Sequence, residues 1–157
     1  MVFAVKKALA LIIVSLFMLA VQAQTADFVT EMIDTKSAAN GQLCYMSAVY
    51  QGFIADTDSY QAAVTALYKA GQIPYLLDKD GPVYYINAAF VFSELWHISG
   101  GLMFRITGGS PRYAFRQMKA DGVIPQDADP RKKLSGQELM NLYTDCVRKY
   151  GEEGAVK

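Results

Sequence analysis

The sequence predicts a mainly α fold: a small helical bundle of two to three helix–loop–helix repeats, with room for one short β-hairpin and one disulfide. Three observations predict it. Apolar residues recur at helical spacing in several separated stretches. Residues that start and stop helices bracket those stretches. One punctuated turn occurs twice, at a separation that suits a repeated unit. Alternating, strand-like patterning is scarce.

The first segment reads as a leader. Lys6 and Lys7 precede an apolar run from Ala8 to Val21, interrupted only by Ser15, and Val21-Gln22-Ala23 offers small residues at the cleavage positions. That is the pattern of a secretory signal over Met1–Ala23. The run is 14 residues long, whereas a membrane-spanning helix needs about 20. Gln24 rather than Cys would follow the cut, so a lipid anchor is not expected. The domain is then expected over residues 24–150, with a disordered tail at 151–157.

The helices follow in order. Asp27–Asp34 is short and weakly periodic. Gln42–Ala55 places Leu43, Met46, Tyr50, Phe53 and Ile54 on one face. Ser59–Ala70 is the most regular, with Asp58 as its expected cap, Gln61 three residues on, and Gly71 as its stop. Ala88–Ile98 is strongly apolar. Ser110-Pro111 is a capping residue followed by proline at the first helical position, opening Arg112–Ala120. Ser135 with Glu138 forms a capping box for a last helix carrying Leu139, Leu142, Tyr143, Cys146 and Tyr150 on one stripe. Between them, Leu77–Pro82 is a turn, Val83–Ile86 a short extended piece, and Leu102–Thr107, bracketed by Gly100-Gly101 and Gly108-Gly109, a brief strand or apolar loop.

Lys69-Ala70-Gly71-Gln72-Ile73-Pro74 recurs as Lys119-Ala120-Asp121-Gly122-Val123-Ile124-Pro125. Each copy ends a helix, turns on glycine, buries an isoleucine and stops at proline. A loop and a capped helix follow, with Asn87 and Ser135 as expected caps and Asn40 as a third. These lie 47 and 48 residues apart.

This unit resembles the S-layer homology (SLH) module, a helix, a Gly-Ile turn, a loop, and an Ile/Leu-Thr-Arg-Ala-Glu-like cap opening a second helix. Ala114–Tyr143 is the nearest stretch, Gly122-Val123-Ile124 being the turn and Leu134-Ser135-Gly136-Gln137-Glu138 the cap; Val64–Trp96 is similar more loosely. Ser135 and Glu138 match the family's capping Thr and Glu. The resemblance implies three units around a pseudo-threefold axis, with cell-wall polysaccharide held in the grooves between them. The family's glycan-contacting arginine is replaced by Ala88 and Gly136 at the matching positions, and its loop aspartate-glycine survives only as Asp80-Gly81.

Without the leader the chain carries 13 basic and 15 acidic residues. A balance that even argues against a nucleic-acid or anionic-membrane binder. Cys44 and Cys146 are the only cysteines, 102 residues apart. In an exported chain they are expected to form a bridge, contributing about 4 kcal/mol by chain entropy.

His97 is the only histidine, which excludes a multi-histidine metal site. Asp78, Asp80, Asp127 and Asp129 read as turn residues that bond their own backbone. Gly108-Gly109-Ser110 lacks the lysine pattern of a phosphate loop. Tyr75, Tyr84 and Tyr85 flank one loop, and Arg105, Arg112 and Arg116 cluster along the chain; aromatics with arginine are what partner surfaces and glycan grooves use. The resulting expectation is an exported, periplasmic or extracellular, non-enzymatic binding or assembly module of the cell envelope. It would use no cofactor or metal, and its partner would be an envelope protein or a cell-wall polysaccharide. The alternative is a small exported hydrolase using His97 and the loop aspartates.

Overall fold

A computed structural model describes residues 29–98 and 109–154. Six helices run through them: α1 (29–34), α2 (Asn40–Tyr50), α3 (Tyr60–Lys69), α4 (Tyr85–Leu95), α5 (Pro111–Ala120) and α6 (Gly136–Gly154). The fold is mainly α. Among the described residues the only β pairing is two isolated bridges, Ala39 with Pro82 and Tyr84 with Lys133. The expected leader at Met1–Ala23 and the segment Leu102–Thr107 lie outside the described residues. No helix among those described is long and apolar enough to cross a membrane.

Four helices end in the same way. In α2, α3 and α5 a glycine with positive φ follows the last helical turn: Gly52 at 68°, Gly71 at 73° and Gly122 at 78°. Each donates its N–H to the carbonyl three residues back, and the next residue reaches one carbonyl further: Phe53 to Ala48, Gln72 to Leu67 and Val123 to Met118. This Schellman closure places a left-handed residue just past the helix. In α4 the same position holds His97, at φ 47°, with Ile98 bonding back to Ser93 at 2.9 Å. After α3 and α5 the chain then buries Ile73 and Ile124, as the recurring turn implies.

Helix starts depart more from expectation. The cap of α4 is Tyr84, not Asn87, and that of α2 is Ala39, not Asn40. Both helices start earlier than apolar periodicity indicates, because their first turns are satisfied by backbone from elsewhere in the fold rather than by a polar capping side chain. Ser59, not Asp58, caps α3, accepting from Ala62 N–H at 3.2 Å; the Asp58 carboxylate instead accepts from Ala55 N–H at 2.8 Å. Ser110 stands at the cap of α5 without a side-chain capping bond, leaving Pro111 to set that start. The Ser135–Glu138 box forms as read. Glu138 N–H donates to Ser135 Oγ (3.2 Å) and Ser135 N–H to Glu138 Oε2 (3.0 Å). The last helix continues to Gly154, past the expected boundary at Tyr150.

The residues just before α2, α4 and α6 meet at the centre. Ala38 N–H donates to Leu134 C=O (2.8 Å), Leu134 N–H to Val83 C=O (2.9 Å), and Val83 N–H to Ala38 C=O (2.9 Å), closing a ring of three bonds. All three side chains are buried. Around that ring the first N–H of each following helix is also taken up: Asn40 by Gly81 C=O, Tyr85 by Lys132 C=O, and Gly136 by Thr35 C=O. Each is a donor that a helix leaves unsatisfied at its start. The observed cap positions, Ala39, Tyr84 and Ser135, are therefore 45 and 51 residues apart.

Packing follows the same order. α2 lies against α3 and α4, and α4 against α5 and α6. The start of α6 presses on α1, where a Cβ at Gly136 would come within 1.6 Å of the Met32 carbonyl oxygen. Each helix contributes to one core: Met32, Leu43, Leu67, Phe92, Met118, Leu139 and Leu142 are all buried.

Cys44 and Cys146 are not bridged, contrary to expectation; both are free and fully buried. Cys44 lies on α2 and Cys146 on α6, each at 0 % exposure in the core. The two thiols serve as small apolar core groups. Burial pushes the Cys44 thiol up to about 12 and raises that of Cys146 further.

Candidate functional site

The residues singled out from the sequence scatter. Tyr75 is 61 % exposed in the connection after α3. Tyr84 caps α4, where its backbone pairs with Lys133. Tyr85 turns onto α5, edge-on to Phe115 at 5.7 Å, and the Lys119 ammonium lies 5.0 Å from that same ring. Burial raises the Tyr85 hydroxyl above its usual range, and Glu138, Asp145 and Cys146 add to the shift, so its tip lies towards α6. Arg112 and Arg116 are exposed, one turn apart on α5. Arg105 lies outside the described residues. Of this set, only Tyr85 is drawn into a ring contact with α5.

Two of the four loop aspartates, Asp78 and Asp129, behave as turn residues. Asp78 Oδ1 accepts from Asp80 N–H (3.1 Å), and Asp129 Oδ1 accepts from Arg131 N–H (2.8 Å). His97 is exposed, and its place at the end of α4 is fixed by backbone geometry. The half-buried Glu94 carboxyl is raised by desolvation, with His97 opposing the shift. Among the described residues no cluster of His, Cys, Asp or Glu could hold a metal ion.

A concave feature of the described residues lies elsewhere. A groove of about 670 Å3 runs beside α2, lined by Tyr45, Met46, Val49 and Tyr50 from that helix. Val29 of α1, Tyr60 of α3, and Met140 and Tyr143 of α6 complete its walls, and Asp56, Asp58 and Ser59 form one end. That volume lies within the range of pockets that seat a drug-sized ligand.

The walls are built from rings locked against one another. Tyr45 stands edge-on to Tyr60 at 5.6 Å, and its hydroxyl donates to the Asp56 carbonyl. Tyr143 packs on Tyr50 at 6.3 Å, on Phe92 at 5.8 Å and on Trp96 at 5.5 Å. Trp96 in turn meets Tyr50 at 5.7 Å and Phe92 at 5.5 Å. Such edge and tilted contacts hold aromatic walls in place. Burial raises the Tyr45, Tyr60 and Tyr143 hydroxyls above their usual range. The carboxylates of Asp56 and Asp58 add to the shift at Tyr45, and that of Glu31 adds to it at Tyr60, where a bond to Gln42 works the other way; Tyr50 adds to it at Tyr143. All three stay protonated at neutral pH. The groove thus offers apolar faces and neutral hydroxyls, with carboxylates at one end only.

Sequence reasoning passed over this site. Met46, Tyr50 and Tyr143 fall on helical stripes and read as core. The available signal was the tyrosine itself, whose hydroxyl wants water or a polar partner: Tyr50 is 49 % exposed. Tyr45 and Tyr60 meet only through the packing of α2 on α3.

No family model matches this chain, and neither a curated protein nor a solved structure does.

Proposed function

We propose that this chain is an exported, non-enzymatic binding module of the cell envelope, built from three degenerate SLH-like units, and that its partner seats in the tyrosine-lined groove. The observation that carries the reading is the groove itself, lined by α1 and α2, the start of α3, and α6. In the proposed division into α1–α2, α3–α4 and α5–α6, all three units contribute to it. The cyclic bonding of Ala38, Val83 and Leu134 supports that division. So does the order of packing, in which the second helix of each unit lies against the first helix of the next.

Between the two expected partners, the lining favours an envelope protein over a polysaccharide. With the observed caps, the family's arginine position falls on Asn40, Tyr85 and Gly136, and none of these is cationic. The Asn40 side-chain amide donates to the Asp78 carbonyl at 3.0 Å. Met46, Val49 and Met140 suit an apolar side chain better than a hydroxylated ring. The alternative of a hydrolase needs His97 beside a loop aspartate. Asp78 and Asp129 are committed to turns, and the conformation of His97 is accounted for by its helix-closing role.

The test is retention of the mature protein on envelope material. Solubilised envelope proteins are expected to yield a specific bound protein, with retention reduced at least tenfold by Tyr50→Ala. Sacculi with and without attached polysaccharide are expected to sediment equally little of it. Sedimentation that disappears when the polysaccharide is stripped would make the partner a glycan. Retention on neither material would overturn the reading.

A further inference from the structure

We propose that the groove recognises a protein segment presenting an apolar side chain next to a lysine or arginine, the apolar group lying among Met46, Val49, Tyr50 and Tyr143 and the cation between Asp56 and Asp58. The proposal rests on the binding-module reading and adds to it the chemistry of the bound segment.

The argument is one of charge placement. Among the described residues that line the groove, the ionised side chains are the carboxylates of Asp56 and Asp58, just before α3. Both aspartates are exposed, and neither is paired with a lysine or arginine among the described residues. Asp58 spends one oxygen on Ala55 N–H and keeps acceptor capacity on the other, since a carboxylate accepts through both oxygens. Tyr45 and Tyr60 stand at the same end, and aromatic faces attract cations. A lysine or arginine stem is apolar along its length and charged at its tip. It can therefore follow the groove and still place its charge at the carboxylates. An acidic segment would be repelled by those carboxylates, and a purely apolar one would gain nothing from them.

The experiment uses the mature chain and a random peptide library. Peptides selected on the immobilised protein are titrated by the fluorescence of Trp96, the chain's single tryptophan, which packs on the groove residues Tyr50 and Tyr143. Selected peptides are expected to pair an aliphatic or aromatic residue with a neighbouring Lys or Arg. Exchanging that basic residue for Glu is expected to weaken binding by tenfold or more. The double variant D56N/D58N is expected to remove the preference for the basic residue, and added salt to weaken binding to the unmodified protein. Both aspartates are exposed, so the double variant folds, which its unchanged thermal transition verifies.

Selection of peptides with no basic enrichment, or equal binding by D56N/D58N, would overturn the charge rule and leave the binding module standing. No selected peptide at all, together with no retention on envelope material, would overturn both.

Discussion

At the residue scale, two backbone positions decide more than any side chain on the surface. Gly136 begins α6 against the carbonyl of Met32, with no room for a methyl group. Gly136→Ala is expected to cost about 3 kcal/mol or more, as overpacking against rigid backbone does, read as a fall in the denaturation midpoint. His97 does a glycine's work at the end of α4. His97→Gly is expected to stabilise the fold by about 1 kcal/mol, the usual cost of holding a side chain in the left-handed region. A hydrolase using His97 as its base would lose activity in the same variant.

The cysteines make a sharper test. Two free buried thiols should be silent to a thiol reagent in the native protein, and both should react in denaturant without reductant; a bridge would give none. Their titration has a definite sign. An unfolded thiol ionises near 9.0, whereas burial keeps the folded Cys44 neutral until about 12. The stability tied to that neutrality is complete below pH 9 and is lost as pH rises from there toward 12. The alkaline slope should be about 1.4 kcal/mol per pH unit for each thiol, and Cys44→Ala should reduce it.

At the scale of elements, helices were legible wherever the chain carried its own punctuation. The Ser135–Glu138 box, Pro111 at the start of α5, and Gly71 and Gly122 past α3 and α5 all act as local chemistry implies. Ser135→Ala is expected to cost about 1 kcal/mol, the typical worth of a capping side chain, measured by denaturant titration. The Glu138 carboxyl is held below its usual value, first by its bond to Lys132 and then by Ser135 N–H. Its contribution is present above the ordinary carboxylate range and fades as pH falls through the lowered value, a slope that Glu138→Gln should remove. The starts of α2 and α4 were not legible, because Ala39 and Tyr84 carry no capping side-chain bond. Their first amides are satisfied by carbonyls 41 and 47 residues further along the chain, at Gly81 and Lys132.

At the scale of the molecule, the bundle class was legible and the site was not. Apolar spacing and a recurring turn are local signals. The ring at Ala38, Val83 and Leu134 and the groove beside α2 arise from contacts between distant segments. Tyr75, Tyr84 and Tyr85 drew notice as aromatics flanking one loop, of the kind that partner surfaces use together with arginine. Here the aromatic surface assembles from the helices instead: Tyr50 of α2, Tyr143 of α6 and Trp96 past the end of α4 lie far apart in sequence and within 6.3 Å ring to ring. A pair of cysteines behind a leader-like segment argued for a bridge, but both thiols are free and buried in the core.

The most direct measurement of the central claim, that the partner sits in the groove, is photocrosslinking in the cell from a benzophenone side chain placed singly at Tyr50, Tyr75 or Arg112. A discrete adduct from Tyr50, absent from Tyr75 and Arg112, is the expected result. Adducts from Tyr75 or Arg112 with none from Tyr50 would contradict it and would return the binding surface to the tyrosines and arginines that the sequence first singled out.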